Sequence, residues 1–105
     1  MKLTLLEEPS GKVMAIAGPV TLDNCHLLLK QGKHLVSEGY FDLILDFASV
    51  DFIDSAGMGT LISLSKLVKE SGGSFQLRNL SDNIRRVLSL ARLDRFFGIN
   101  SGGVE

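Results

Sequence analysis

Four short segments along the chain have the apolar patterns of β-strands. Residues 3–5 begin an extended segment that ends in a Pro-Ser-Gly turn. Residues 13–17 and 43–45 are continuously apolar, which is typical of strands covered on both faces. Residues 74–78 alternate between polar and apolar, as a half-buried strand does. The pattern therefore predicts four strands.

Between these strands the apolar residues recur at helical spacing. Residues 21–39 predict one helix, with Gly39 as its C-terminal stop, and residues 57–70 predict a second, ended by Gly72 and Gly73. Ser81 is expected to cap a third helix. Residues 93–99 form a short ending that is expected to seal the core with Phe96 and Phe97. The apolar face of the third helix is predicted to comprise Ile84, Val87, Leu88 and Ala91.

The order of these elements predicts the fold class. Strands that alternate with helices indicate an α/β domain, here with a small mixed β-sheet packed with about four helices. The length of 105 residues suits one domain, residues 1–105. Residues 100–105 include two glycines and are expected to form a frayed tail.

Composition and charge narrow the function classes. Eleven Lys and Arg nearly cancel twelve Asp and Glu, so no strong field of one sign favours nucleic acid or a membrane surface as partner. The longest apolar runs are far shorter than a membrane span. Together with the unpaired Cys25, this predicts a cytoplasmic protein.

The sequence of one junction between a predicted strand and a predicted helix is not explained by core packing. The segment 54–61 reads Asp-Ser-Ala-Gly-Met-Gly-Thr-Leu, where a strand has ended and a helix is about to begin. Ligand and modification sites in α/β sheets favour such carboxyl ends of strands. Ser55 is expected just ahead of the helix, where free N–H groups accommodate added negative charge. Gly57 and Gly59 are expected to let the backbone turn and a partner approach.

The same spacing has a purely structural interpretation. A serine ahead of a helix is often a cap, and a glycine-rich junction is often only a tight turn. Spacing alone leaves both interpretations open.

A family resemblance favours the functional interpretation. Residues 52–61, preceded by the Leu-Ile-Leu-Asp-Phe run at residues 43–47, closely resemble the signature of STAS domains. More narrowly, they are similar to bacterial anti-sigma factor antagonists, and the ending at residues 93–97 fits that family too. Residues 18–21, Gly-Pro-Val-Thr, depart from the Gly-x-Leu/Ile-Asp that is frequent there.

The resemblance implies a switchable binding module without catalytic residues. In this family, an anti-sigma factor that is also a serine kinase phosphorylates the antagonist. The unphosphorylated form binds the anti-sigma factor and frees a sigma factor, and a phosphatase resets the phosphorylated form. Because Ala56 has no hydroxyl, the resemblance assigns phosphorylation to Ser55. The residues expected to contact the partner are Asp54, Ser55, Ala56, Gly57, Met58 and Gly59.

Other reactive side chains predict no separate chemistry. His26 and His34 are too far apart on one helix to share a metal, and Cys25 lies on the apolar face of that helix, so no metal and no cofactor is expected. Arg85 and Arg86 are interpreted as a solvated face, with contact to a partner as the alternative.

Two alternatives to the switch remain open. The first is a constitutive STAS subunit of a signalling assembly or a lipid-transport complex. The second is a receiver-like or hydrolytic domain that uses Asp46 or Asp54 as an active carboxylate. The second is the weaker alternative.

Overall fold

A computed structural model describes residues 1–99 and contains seven elements. The strands and helices alternate in the predicted order, and both glycine-terminated helices end near their predicted positions. The elements are β1 (Lys2–Glu8), β2 (Gly11–Ala17), α1 (Cys25–Ser37), β3 (Asp42–Ser49), α2 (Ser55–Glu70), β4 (Ser74–Arg78) and α3 (Asp82–Leu90).

The four strands form one mixed sheet in the order β1-β2-β3-β4. β1 and β2 are antiparallel, whereas β2, β3 and β4 are parallel. The two parallel connections are made by α1 and α2, as a crossover between parallel strands requires. The prediction of a small mixed sheet is confirmed.

One face of the sheet packs against the helices. Alternate residues of β2 and β3 belong to a single apolar cluster, which also contains buried apolar residues of all three helices. α1 and α2 meet closely, since a Cβ on Gly32 would collide with the side chain of Leu64. The cluster includes Met14, Ile16, Leu28, Leu35, Leu43, Leu45, Phe47, Leu61, Leu64, Val68, Phe75, Ile84 and Leu88.

The opposite face of the sheet is crossed by an ion pair. Val13 and Ile44 are adjacent in the register and buried, yet they lie outside the main cluster because their side chains point the other way. On this face the guanidinium of Arg78 donates two hydrogen bonds to the carboxylate of Glu8, at 3.0 and 2.6 Å. Asp46 lies 3.8 Å from the same guanidinium.

Some sequence-based boundaries were wrong. α1 begins at Cys25 rather than at residue 21, and α3 ends at Leu90, which leaves the exposed Ala91 as its C-cap. The count of about four helices was also wrong for residues 1–99, because residues 94–98 form turns and only three α-helices are present. The expected frayed tail at residues 100–105 lies outside the described residues.

The ending after α3 covers the core only in part. Phe97 packs against the core, with its ring centroid 6.0 Å from that of Phe75. Phe96 stacks edge-on against Phe97 but stays 37% exposed. The prediction that these two rings seal the core is therefore right for Phe97 and only partly right for Phe96.

Candidate partner-binding site

The junction before α2 is held by a second loop, residues 18–24, that follows β2. The N–H of Val20 donates to the carbonyl of Phe52 at 3.0 Å, and the N–H of Asp54 donates back to the carbonyl of Val20 at 3.2 Å. These bonds extend the parallel pairing of β2 and β3 by one isolated bridge between Val20 and Ile53. The two loops consequently form one rigid surface at the carboxyl ends of the parallel strands.

Asp54 links that surface to the helix. Its backbone is extended, and its Oδ1 accepts the N–H of Gly57 at 2.9 Å, which makes it the N-cap of α2. Its Oδ2 accepts the N–H of Leu22 at 3.0 Å. These N–H donors, first that of Gly57 and then that of Leu22, lower the pKa of Asp54 below its ordinary value of 3.8. The carboxylate is therefore charged at neutral pH, with both oxygens engaged.

Ser55 is the first residue of α2 and is exposed. The expectation that it precedes the helix was wrong, because Asp54 takes the capping position and α2 starts two residues earlier than predicted. Within residues 1–99 no hydrogen bond engages the Ser55 hydroxyl, so it has no structural task that a reaction would disturb. The alternative that Ser55 is merely a helix cap is thereby excluded.

The two glycines of the motif lie inside α2 and have different surroundings. The expectation of a sharp turn at these positions was wrong, because neither has a positive φ. A Cβ on Gly57 would lie 2.6 Å from the carbonyl oxygen of Val20, so glycine is needed there for the two loops to meet. A Cβ on Gly59 would meet nothing within 4 Å. Only Gly59 leaves open space beside Ser55.

The remaining motif residues have mixed exposure. Ala56 and Met58 are half-buried, and Met58 packs against the core from its edge. Thr60 is buried and donates its hydroxyl to the carbonyl of Ala56 at 3.2 Å, which satisfies the buried hydroxyl within the helix. The six predicted contact residues, 54–59, are thus brought together, but Gly57 faces inward.

Sequence reasoning missed two apolar side chains of the site. Leu22, whose N–H binds Asp54, is 73% exposed, and Phe52, whose carbonyl binds Val20, is 51% exposed. Exposed aromatic and aliphatic side chains on the loops of a functional site are available for contact with a partner. The sequence could have indicated them, because both are large apolar residues that lie in loops and outside the apolar pattern of any strand or helix.

Hydrogen bonds also join α3 to this region. Asn83 donates its amide to the carbonyl of Asp51 at 2.9 Å, and Arg86 donates to Asn83 Oδ1 at 3.3 Å. Arg86 is thus connected to Asp51, just before the junction, through the side chain of Asn83. Arg86 is exposed, as expected for a solvated face, and is also linked to the loop through Asn83.

The other reactive side chains lie elsewhere. His26 and His34 are exposed on α1, while Cys25 is half-buried and packs against the core. Among residues 1–99, no three His, Cys, Asp or Glu side chains gather in a way that could hold a metal ion. No helix in the same part of the chain has the length and apolarity to cross a membrane.

A four-stranded mixed sheet with its helices on one face and an exposed serine at the start of α2 is the arrangement of a STAS domain. A family model described as "Mlab, STAS domain" matches residues 3–99. The anti-sigma-B factor antagonist of Bacillus subtilis (strain 168) is 31% identical over 93 residues, which cover 86% of this chain and 84% of the relative. The chain therefore belongs to the STAS-domain family of anti-sigma factor antagonists.

Solved structures share the fold. The crystal structure of a candidate anti-sigma factor antagonist from Thermotoga maritima superposes with a TM-score of 0.82 at 28% identity, over 89% of this chain and 80% of that chain. The Bacillus cell fate determinant SpoIIAA in its phosphorylated form gives a TM-score of 0.70 at 19% identity, over 90% of this chain and 86% of that chain. These relatives are named for regulatory roles and not for a reaction.

Proposed function

We propose that this protein binds an anti-sigma factor that is also a serine kinase, and that phosphorylation of Ser55 switches this binding off. The unphosphorylated form would hold the anti-sigma factor and so release a sigma factor. The observation that carries the proposal is the Ser55 hydroxyl, which is exposed at the first turn of α2 and free of any hydrogen bond within residues 1–99. The names of the relatives support the general role.

The chain supplies the acceptor and the kinase supplies the rest. In the transfer, the Ser55 oxygen forms a bond to the γ-phosphorus of ATP, ADP leaves, and the hydroxyl proton goes to a base. Asp54 is a poor base for this step because its pKa is lowered and both its oxygens already accept N–H groups. The base is therefore assigned to the kinase, and the protein is assigned no catalytic turnover of its own.

The proposed switch acts through local charge. A phosphoryl group adds about −1.5 to −2 charges and three acceptor oxygens. On Ser55 it would lie on the residue next to Asp54, on a surface whose two loops expose the side chains of Leu22 and Phe52. A partner surface shaped for a neutral hydroxyl and these two side chains would meet uncompensated charge. A penalty of about 3 kcal/mol weakens binding roughly a hundredfold, so no refolding of the domain is required.

The remaining components follow from the same scheme. A phosphatase would remove the phosphoryl group and restore binding, and the cycle would take place in the cytoplasm, where ATP and the sigma factor are found. The proposal includes no cofactor, no metal, no nucleic acid and no membrane.

The experiment is phosphorylation by the candidate kinase with ATP, followed by mass spectrometry and a binding assay. Ser55→Ala is expected to abolish phosphate incorporation while it keeps or strengthens partner binding. Ser63→Ala is the matched control, because Ser63 is an exposed serine on the same helix, and it should be phosphorylated like the wild type. Phosphate on Ser63 or Thr60 in the Ser55→Ala variant would show that the wrong hydroxyl was assigned.

A second candidate is a constitutive STAS subunit of a signalling assembly or a lipid-transport complex, in which Ser55 is a contact residue. The observation in its favour is that the family model spanning residues 3–99 is described by the name Mlab and not as an antagonist. A tight complex with the partner and no phosphate incorporation in the same experiment would support this candidate.

A further inference from the structure

β1 is an edge strand whose outer side is unpaired in the sheet of residues 1–99. Its seven residues pair with β2 without interruption, so no bulge twists the edge away. No proline lies within it. Leu5 and Leu6, at its centre, are 39% and 51% exposed. Bulges and prolines are among the features that protect an exposed edge in other proteins, because its free N–H and C=O groups can pair with another strand.

The other edge of the sheet is better protected. β4 has only five residues, and its exposed positions Ser74 and Gln76 are polar. Its last residue, Arg78, is held by Glu8 and Asp46. β1 is therefore the longer and more apolar of the two edges at which a partner strand could pair.

The charges of β1 indicate which strand would pair with it. Lys2 stands at one end, and Glu7 and Glu8 stand at the other. When two copies run antiparallel, each ammonium group lies near the carboxylates of the other copy, whereas parallel strands would place like charges together. Opposite charges on facing strands stabilise a pair and like charges destabilise it. The strand is thus complementary to itself in one direction only.

We propose that β1 pairs antiparallel with β1 of a second copy of this chain and joins the two sheets into one of eight strands. A two-fold axis makes such an interface from one surface patch used twice. Residues directly opposite each other have side chains on the same face, so paired positions must be both even or both odd. The register that uses all seven residues pairs Lys2 with Glu8, Leu3 with Glu7, Thr4 with Leu6, and Leu5 with Leu5.

The proposed pairing uses none of the residues that hold Asp54. The hydrogen bonds to its carboxylate come from Gly57 and Leu22, and neither lies on β1. The proposal does not use the phosphorylation of Ser55, so its test stands apart from that of the proposed function.

The first test measures the oligomeric state by sedimentation velocity over a wide concentration range. Wild type is expected to dimerise reversibly, and Leu5→Lys, which sets two ammonium groups opposite each other on the axis, should raise the dissociation constant by about tenfold or more. Leu90→Lys is the matched control, since Leu90 is an exposed leucine on α3 and its substitution should leave the dimer intact. A wild type that stays monomeric throughout, or a dimer that Leu5→Lys does not weaken, would overturn the proposal.

The second test reads the register by oxidative cross-linking in a Cys25→Ser background. Cβ atoms of residues directly opposite lie about 4.5–5.5 Å apart, close to disulfide range, whereas diagonal neighbours lie about 7–8 Å apart. Leu5→Cys should therefore form a disulfide-linked dimer rapidly. Leu6→Cys faces Thr4 of the second copy and should cross-link at least tenfold more slowly. Equal rates for the two variants would exclude this register.

Discussion

Serine stands at the start of two helices in this chain, with different physical roles. Ser81 is the N-cap of α3, and its hydroxyl accepts the N–H of Ile84 at 3.1 Å. Ser55 is the first residue inside α2, where Asp54 already provides the cap. The same side chain is therefore structural at one helix start and available for chemistry at the other.

This difference predicts the stability of two alanine variants. Ser81→Ala removes a capping hydrogen bond and should lower the free energy of unfolding by about 1 kcal/mol. Ser55→Ala removes an exposed hydroxyl that bonds to nothing within residues 1–99, so it should change this free energy by less than about 0.5 kcal/mol. Urea denaturation of both variants beside wild type is the measurement. A loss at Ser55 as large as that at Ser81 would mean that the hydroxyl supports the fold after all.

At the scale of elements, α2 carries two glycines in its first two turns. Glycine lowers helix stability by conformational entropy, so each needs a reason to be there. The close approach of the Val20 carbonyl supplies the reason for Gly57. The described fold supplies none for Gly59, which is exposed and has free space around its Cα. That free space lies on the surface to which the partner is proposed to bind.

Two further alanine variants should separate these roles. Gly57→Ala would force a Cβ against the loop of Val20 and should destabilise the domain by about 1–3 kcal/mol. Gly59→Ala should instead stabilise it by about 0.5–1 kcal/mol, because the helix gains propensity without a clash. Thermal and urea unfolding check both values. If Gly59→Ala were destabilising, the space beside it would not be open.

At the scale of the whole molecule, the Glu8–Arg78 ion pair connects the two outermost strands of the sheet. It crosses the face opposite the helices, where Val13 and Ile44 are buried. The hydrogen bonds from Arg78 lower the pKa of Glu8 below its ordinary value of 4.5. Since the pair is partly exposed, its contribution is reduced by solvent and by salt.

The lowered pKa predicts a pH dependence. A carboxylate with a lower pKa in the folded state stabilises the fold fully above pH 4.5, and this contribution is lost as the pH falls through the folded value. Glu8→Gln should therefore lower the melting temperature at pH 7 and lose less on acidification to pH 3. Glu7→Gln, at the neighbouring exposed carboxylate, is the control and should keep the wild-type pH profile. Thermal melts across this pH range make the comparison, and identical profiles for Glu8→Gln and wild type would refute the role of the pair.

Local patterns were enough to predict most elements. Apolar runs at residues 13–17 and 43–45 marked the central strands, although the expectation that both faces are covered was only partly right: the helices pack on one face, and on the other only Val13 and Ile44 are buried. Their boundaries were less certain, since a helix end depends on which residue caps it. Asp54 and Ser55 are both good caps, and only the position of the Leu22 N–H, 32 residues away in sequence, shows why the aspartate holds that place.

Local sequence patterns were sufficient to predict a small α/β domain with a distinctive Asp-Ser motif between a buried strand and a helix. These features depend on neighbours within a few residues, where periodicity and capping act. Only contacts between distant segments bring the N–H of Leu22 to Asp54 beside Ser55, make Gly57 necessary for packing while Gly59 is not, and leave the outer edge of β1 unpaired within residues 1–99. Each of these depends on contacts between segments far apart in sequence, and local patterns do not encode which distant segments meet.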